Sequence, residues 1–350
     1  MKKRIPLLLT WLTLSVTCAH AQDSLQANKQ AYYSAYAQLN AMLQSTDSAS
    51  YEQAVFITEN AYYNNAYSYS DFIAVMDKHV LIIQAIATDI LAQQQQKIAT
   101  MPSYQQRMAR LNALNSALYM YLTDTVTLQG LYATRYHMPY AYAVTDPYGT
   151  ANIAHTQVLH LLSGGAGNCY AINVLHQLLS NRLHSQARIV VAPHHIYTQV
   201  PNSIGDYYNV ELATRAFPGD GTIQTLTYTS TNLIMNGLAQ REITHNQAIA
   251  LNLIYLAKGY AHKYNAPTDV FVSQCAQLAL LYDSLNLNAM LLQASVAQQQ
   301  LEQAMQQHKL STLAQARTHS VTKQQLKHYE QHLAKLYTQA TVPYLTMCKL

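Results

Sequence analysis

The segment that decides the fold is residues 164–175, which read GGAGNCYAINVL. Three of the 10 glycines in the chain lie within its first four positions, where they allow the backbone to turn tightly. Apolar side chains then recur every three or four residues as far as Leu183, which predicts an amphipathic helix. Asn168 is a favourable N-cap residue, so Cys169 is expected in the first turn of that helix.

The predicted position of Cys169 favours a reactive thiol. A sulfur at a helix start faces unpaired backbone N–H groups and the positive end of the helix dipole, and both stabilise the thiolate. Cys169 is therefore a candidate nucleophile. Gly167 and Asn168 are candidates for the helix cap and oxyanion hole, to which the N–H of Cys169 would contribute. The alternative is a small buried core residue, a common environment for a single Cys.

Composition and charge limit the classes of function. The chain of 350 residues has 21 basic and 17 acidic residues. Three of the basic residues lie before residue 22, and without them the charges nearly balance, which gives no reason to expect a nucleic-acid partner. Half of the residues are hydrophobic, which predicts a folded protein with a substantial core.

The N-terminus has the pattern of an export signal. Basic residues 2–4 precede an apolar run over residues 7–16, and residues 19–21 (AHA) resemble a cleavage site. We therefore expect residues 1–21 to be removed and the protein to be periplasmic or extracellular. Lipid attachment at Cys18 is the alternative, although the residue before it fits that pattern poorly. No later segment is apolar enough for a transmembrane helix.

Periodicity divides the remaining chain into three regions. Residues 22–140 repeat apolar side chains at three- and four-residue steps, which predicts helices over residues 26–43, 51–64, 71–96 and 103–122. The next region, residues 141–235, lies largely within the window from Pro139 to Gly221, which holds seven of the 10 Gly and five of the nine Pro, as is typical of turns and short strands. Residues 236–350 return to helical periodicity over residues 243–264, 268–283, 286–307 and 310–337. Their rhythm is similar to that of tetratricopeptide hairpins.

The middle region contains a predicted β-hairpin that carries chemistry. Residues 187–192, 196–200 and 207–212 are rich in β-forming side chains, and residues 201–205 read as a turn. A register symmetric about Ser203 would place His195 directly opposite Glu211, with Cβ atoms about 5 Å apart. A slip of one residue would separate the two side chains.

These residues suggest a catalytic triad. Cys169 would be the nucleophile, His195 the general base and acid, and Glu211 the acceptor that orients the other ring nitrogen of His195. His194 is the alternative to His195, because neighbouring strand residues point to opposite faces and only one can meet the site. The hairpin register favours His195.

Together these motifs resemble the transglutaminase-like proteins of the papain-like cysteine superfamily. The resemblance rests on three segments: Gly167-Asn168-Cys169, Ala192-Pro193-x-His195-x-Tyr197 and Tyr208-Asn209-x-Glu211-Leu212. The pattern is similar to exported bacterial members, in which tetratricopeptide-like helices follow the core. It implies a papain-like α+β core, with a helix packed on a small antiparallel sheet, and a Cys–His–acid triad. Glu211 stands where Asp is commoner, and Tyr207 stands where Trp is usual.

We therefore expect a mostly helical α+β protein with a transglutaminase-like core at residues 141–235. The resemblance implies an exported cysteine-dependent acyltransferase or hydrolase that acts on an amide bond of a protein or peptide. No motif indicates a metal site or a cofactor. Cys275 lies on a predicted amphipathic helix and is expected to be a core thiol.

Two other interpretations stay open. The fold could be catalytically silent and serve as a scaffold, with the helical regions binding a partner protein. The chain could also be a peptidase directed at peptidoglycan, for which the sequence shows no wall-binding module.

Overall fold

Helices form most of this protein in a computed structural model, which describes residues 21–45, 49–129 and 134–341. Small antiparallel sheets accompany the helices, so the chain has the expected α+β character. Cys18, Cys348 and residues 1–20 of the expected export signal lie outside the described residues. Along the described ranges, no helix combines the length and the apolar character that crossing a membrane requires.

The N-terminal region consists of helices followed by a small hairpin. The helices are α1 (Ala21–Gln44), α2 (Tyr51–Tyr62), α3 (Tyr69–Gln93), α4 (Gln95–Ala99) and α5 (Ser103–Thr123). The helix predicted over residues 71–96 ends early, because the chain leaves helical geometry at Gln94 before α4 begins. Strands β1 (Val126–Gln129) and β2 (Thr134–His137) form an antiparallel hairpin that the helical periodicity did not predict.

The middle region places one long helix against an antiparallel sheet. Its helices are α6 (Val158–Leu162), α7 (Cys169–Leu183), α8 (Asp220–Leu226) and α9 (Thr231–Met235). Its strands are β3 (Arg188–Ala192), β4 (His195–Pro201), β5 (Tyr207–Val210) and β6 (Arg241–Glu242). The order in the sheet is β5-β4-β3-β6, and every neighbouring pair is antiparallel. The sequence predicted β3, β4 and β5 but neither β6 nor the short helices α8 and α9.

Helix α7 is fixed to the sheet by apolar packing and by one buried amide. Ile172, Leu175 and Leu179 of α7 belong to the same buried cluster as Ile196 and Val200 of β4. The buried side chain of Asn173 donates to the carbonyl oxygens of Cys169 (2.7 Å) and Ile196 (3.1 Å). Thr198 Oγ1 donates to Asn173 Oδ1 at 2.9 Å. The first turn of α7 and strand β4 are therefore held at a fixed separation.

The C-terminal region returns to helices, as the periodicity predicts. They are α10 (His245–Tyr264), α11 (Val270–Tyr282), α12 (Leu287–Gln307), α13 (Leu313–Thr318) and α14 (Thr322–Thr341). Thr244 and Gln247 form a capping box at the start of α10, and Asn286 caps α12. The single helix predicted over residues 310–337 is divided into α13 and α14.

One hydrophobic cluster connects the three regions. It includes Tyr32 of α1, Leu118 of α5, Leu175 of α7, Ile254 of α10 and Phe271 of α11, all of which are almost completely buried. Cys275 also lies in this cluster, where burial raises the pKa of its thiol. The N-terminal helices, α7 and the C-terminal helices therefore share one core, and the stacked rings of Tyr170 and Tyr255 bring α10 close to the start of α7.

Candidate active site

Cys169 begins α7 on a cap that the local sequence builds. Asn168 has extended backbone angles, and its Oδ1 accepts hydrogen bonds from the backbone N–H groups of Tyr170 (3.0 Å) and Ala171 (3.2 Å). The cap leaves the N–H of Cys169 directed at the site rather than at Asn168. Cys169 is 7% exposed, so the side chain is largely desolvated but not sealed.

Gly167 holds the cap against the preceding loop. Its N–H donates to Ala141 O and its carbonyl accepts from Ala143 N–H, both at 2.9 Å. A Cβ at this position would lie 3.0 Å from side-chain carbons of Leu161 and Ala171. The glycine therefore allows a close approach of three segments just before the candidate nucleophile.

His195 and Glu211 are brought together as the sequence predicts. His195 Nε2 lies 2.6 Å from Glu211 Oε2. The second carboxylate oxygen, Oε1, accepts the backbone N–H of Ala213 at 3.1 Å. Glu211 is 3% exposed, and the two contacts fix the carboxylate against the ring.

The strand register that produces this contact differs from the predicted one. Pro201 pairs with Tyr207 and Thr198 pairs with Val210, so the hairpin is centred on residue 204 rather than on Ser203. By extension of this register, position 211 lies opposite Tyr197, and His195 is its diagonal neighbour. The predicted direct pairing of His195 with Glu211 is therefore wrong by two residues. A shift of two preserves the face of the strand, so the side chains still meet.

The turn explains the shift. Asn202 Oδ1 accepts the N–H groups of Ile204 and Asp206, both at 3.0 Å, and Asn202 N–H donates to Asp206 O at 2.7 Å. Gly205 supplies a left-handed backbone with φ of 94°. Asn202 and Asp206 are therefore the matched ends of the loop, and their midpoint is Ile204.

Cys169 and Glu211 together control the charge of His195. Burial lowers the pKa of the ring, but hydrogen bonding to Cys169 and Glu211, with the negative charges they can carry, outweighs burial and raises the pKa to about 10. Since Nε2 contacts Glu211, Nδ1 is the nitrogen left to face Cys169. The ring of His195 is therefore an imidazolium at neutral pH.

His194 also faces the site, contrary to the expectation that only one of the two histidines could. It lies in the turn before β4 with φ of 53°, so the alternation of an extended strand does not apply to it. Its ring lies 6.2 Å from that of Tyr148, across the mouth of the site. Among the described residues, His194 makes no hydrogen bond to Glu211 or to Cys169, whereas His195 contacts Glu211.

Tyr142 is a site residue that sequence reasoning missed. Burial raises the pKa of its phenol, Cys169 and Glu211 raise it further, and the backbone N–H of Cys169 opposes this increase. The phenol oxygen therefore lies beside the N–H of Cys169. Tyr142 is placed by a parallel bridge to Gly167, and such a bridge between distant residues leaves no local signal in the sequence.

A groove of about 830 Å³ leads to Cys169 and His195. One wall is the loop at residues 147–150, and the other is formed by Tyr255 and Lys258 of α10 with Leu292 and Gln299 of α12. A solvent-accessible path to the thiol therefore runs between the core and the C-terminal helices. The sequence did not predict this wall, because α10 and α12 are distant from Cys169 along the chain.

No protein-family model, curated protein or solved structure matches this chain. The relation to transglutaminase-like proteins therefore rests on the motifs quoted from the sequence and remains a proposal.

Lys258 is the second residue that the sequence argument did not single out. Its side chain lines the groove, and its ammonium lies 5.0 Å from the centre of the Tyr255 ring. Burial lowers its pKa, while the charge of Cys169 opposes that decrease. A positive charge in this position adds to the stabilisation of a thiolate at Cys169.

Proposed function

We propose that this protein is a cysteine-dependent acyltransferase or hydrolase acting on amide bonds, with a transglutaminase-like, papain-like core. The observation that carries the proposal is the ring of His195, which contacts the Glu211 carboxylate at 2.6 Å and lines the same groove as Cys169, whose interaction with the ring helps to raise its pKa. Cys169 and His195 line an open groove, and the carboxylate of Glu211, which is 3% exposed, is buried against the ring. This is the arrangement of nucleophile, base and orienting acid that covalent acyl transfer requires.

The acylation step follows from these positions. The thiolate of Cys169 attacks the amide carbonyl carbon, and a C–S bond forms as the carbonyl π electrons move to oxygen. The tetrahedral intermediate collapses, the C–N bond breaks, and the imidazolium of His195 gives its proton to the departing amine. Glu211 keeps the ring oriented and stabilises its positive charge before the transfer.

Deacylation reverses the proton movement. A water or a second amine attacks the thioester carbon while neutral His195 removes its proton. The C–S bond then breaks and the thiolate–imidazolium pair is restored. Water gives hydrolysis and an amine gives transfer, so the two reactions differ only in the acceptor that enters the groove.

Two groups are suited to stabilise the oxyanion. The backbone N–H of Cys169 stands at the start of α7, where the helix dipole favours negative charge. The phenol of Tyr142 lies beside that N–H, and a substrate oxygen that enters between them would accept both the N–H and the phenol O–H. Burial keeps this phenol protonated, which is the state that can donate.

The remaining expectations are part of the same proposal. The substrate would be a protein or peptide, and the N-terminal pattern favours export to the periplasm or the cell exterior. The C-terminal helices would resemble tetratricopeptide hairpins and could also contact a protein partner.

Alkylation rates test the proposal. At a pH slightly below neutrality an ordinary thiol is only about 1% ionised, whereas the proposed triad requires His195 to activate the thiol of Cys169. We therefore expect iodoacetamide to modify Cys169 at least about tenfold faster than an ordinary thiol, as followed by mass spectrometry of the intact and digested protein. His195→Ala should remove this advantage. Cys275, which is completely buried, serves as the internal control and should stay unmodified in the folded protein.

The opposite outcome supports the scaffold alternative. If Cys169 reacts no faster than an ordinary thiol and His195→Ala leaves the rate unchanged, the ion pair is not present. The fold would then be better interpreted as a catalytically silent support for a partner protein.

A further inference from the structure

Lys258 has an environment that is unusual for a lysine. Its side chain extends along the groove wall from α10, with the aromatic ring of Tyr255 on one side. Within the part of the chain that the structure describes, no Asp or Glu forms a salt bridge with its ammonium, and no hydrogen bond to it is found. A half-buried ammonium without a carboxylate partner is costly unless something else neutralises it.

A second lysine on the same helix shows the contrast. Lys263 lies five residues after Lys258 and donates to the carbonyl oxygen of Tyr62 (2.5 Å) and to Asn64 Oδ1 (2.6 Å). Lys263 therefore connects α10 to the N-terminal helices. Lys258 makes no comparable connection, so its position is not explained by a link between helices.

Lys258 is the only lysine, arginine, aspartate or glutamate among the described residues that line the groove. Among the residues that line it, Lys258 is accompanied by His194, His195 and His262 but by no Asp or Glu. Lys258 also lowers the pKa of His194, an effect second to burial, so the two side chains are close. Glu211, the nearby acid, is occupied by His195 and Ala213. The groove therefore attracts an anion to the side of Cys169 on which Lys258 lies.

We propose that Lys258 binds a carboxylate of the substrate while the reacting amide lies at Cys169. The substrate class is then an amide whose neighbouring unit carries a free carboxylate, such as a peptide that is cleaved or transferred next to its C-terminal residue. This inference rests on the proposed function, because it assigns a substrate to the same site. Lys258 would be a specificity residue that acts on binding and on the orientation of the amide.

Two alkylating agents of nearly equal shape test the inference. Iodoacetate carries a carboxylate where iodoacetamide carries a neutral amide, and with both the thiolate forms a C–S bond as iodide leaves. The ratio of the two rates at Cys169 cancels any change in the ionisation of the thiol. We expect Lys258→Met to lower the ratio of iodoacetate to iodoacetamide by about tenfold, the size typical of losing a charged hydrogen-bond partner.

Two control variants separate the loss of the positive charge of Lys258 from other effects of the substitution. Lys258→Arg keeps the positive charge and should retain the ratio within about threefold of the wild type. Lys97→Met removes an exposed lysine from α4, remote in sequence from the groove, and should leave the ratio unchanged. In the wild type, N-acetylalanine should slow the reaction of iodoacetamide with Cys169, whereas N-acetylalaninamide should not. Circular dichroism checks that each variant is folded.

The outcomes separate this inference from the proposed function. Rapid, His195-dependent alkylation with a ratio that Lys258→Met does not change would overturn the carboxylate site and leave the enzyme proposal standing. Equal slowing of both reagents by Lys258→Met would also overturn it, since Lys258 would then act only on the thiolate. Slow alkylation that is insensitive to His195 would refute the proposed function first, and the assigned substrate with it.

Discussion

Shortening Glu211 by one methylene should break its contact with His195. Position 211 is a diagonal neighbour of His195 across the hairpin, and residues in such pairs are about 7–8 Å apart, with their Cβ atoms somewhat closer. The Glu side chain spans this gap with its oxygen 2.6 Å from Nε2. In Glu211→Asp the carboxylate withdraws by about 1.5 Å, the length of one C–C bond, which leaves it beyond hydrogen-bond range.

The same change should preserve the other contact of this side chain. Oε1 of Glu211 accepts the N–H of Ala213, two residues further along the chain. An Asp accepts an N–H two residues ahead readily, in an Asx-turn. Glu211→Asp therefore removes the bond to His195 while the local turn is retained, which Glu211→Ala would not achieve.

The magnitude follows from the strength of the lost bond. A hydrogen bond to a charged partner contributes about 1.5–3 kcal/mol, and 1.36 kcal/mol corresponds to about one pKa unit. Although burial lowers the pKa of His195, Cys169 and Glu211 raise it to about 10. Glu211→Asp should therefore lower the pKa of His195 by about 1–2 units. The interaction with Cys169 accounts for the rest of the increase in the pKa of His195.

Nuclear magnetic resonance titration of ring-labelled histidine measures this pKa directly, with His195→Gln used to assign the signal. Glu242→Asp is the matched control, since it shortens an exposed Glu on β6 of the same sheet and should leave the pKa of His195 unchanged. A pKa in Glu211→Asp equal to that of the wild type, with a decrease in Glu211→Gln, would show that the shorter acid still reaches the ring. The diagonal geometry would then be refuted.

Two further predictions concern buried polar groups outside the triad. Burial raises the pKa of Glu59 to about 8, although the two backbone N–H groups at the start of α6 that its carboxylate accepts oppose this increase. Between about pH 5 and pH 8 the folded state therefore keeps a proton on Glu59 that the unfolded state has lost. The free energy of unfolding should therefore fall by a few kcal/mol as the pH rises from about 5 to about 8. In urea denaturation, Glu59→Gln should abolish this decrease in the free energy of unfolding. If the free energy of unfolding of Glu59→Gln still fell with pH as in the wild type, the prediction would be contradicted. Asn173→Ala removes the link between α7 and β4 and leaves the buried hydroxyl of Thr198 without its acceptor, so it should cost about 2–4 kcal/mol of stability. A loss below about 0.5 kcal/mol in the same assay would show that this link is not needed.

Local patterns account for the parts of the site that were predicted. Asn168 followed by an apolar periodicity fixed the start of α7, and the structure begins that helix at Cys169. The β-rich runs located β4 and β5 to within one or two residues. These features depend on interactions between residues that are close along the chain, so the sequence carries a direct signal for them.

The groove depends on contacts that have no such signal. Lys258 and Tyr255 lie on α10. The periodicity of this segment predicts a helix, but it does not predict which other part of the chain the helix packs against. Tyr142 reaches Cys169 through a bridge to Gly167. Each of these contacts is set by the packing of separate elements into one core, and a single sequence does not specify that packing through local patterns.

The register of the hairpin determines how long the side chain at position 211 must be to reach the ring of His195. β5 ends at Val210, and Glu211 then forms a bridge with Ala216 through two backbone hydrogen bonds, so the chain turns back at this point. The position directly opposite His195 would be residue 213, which lies inside that reversal and is no longer on the strand. Position 211 is thus the last on the correct face from which a side chain can reach the ring. From a diagonal position Glu211 reaches Nε2, and an Asp, which is shorter by one methylene, is expected to fall short of it.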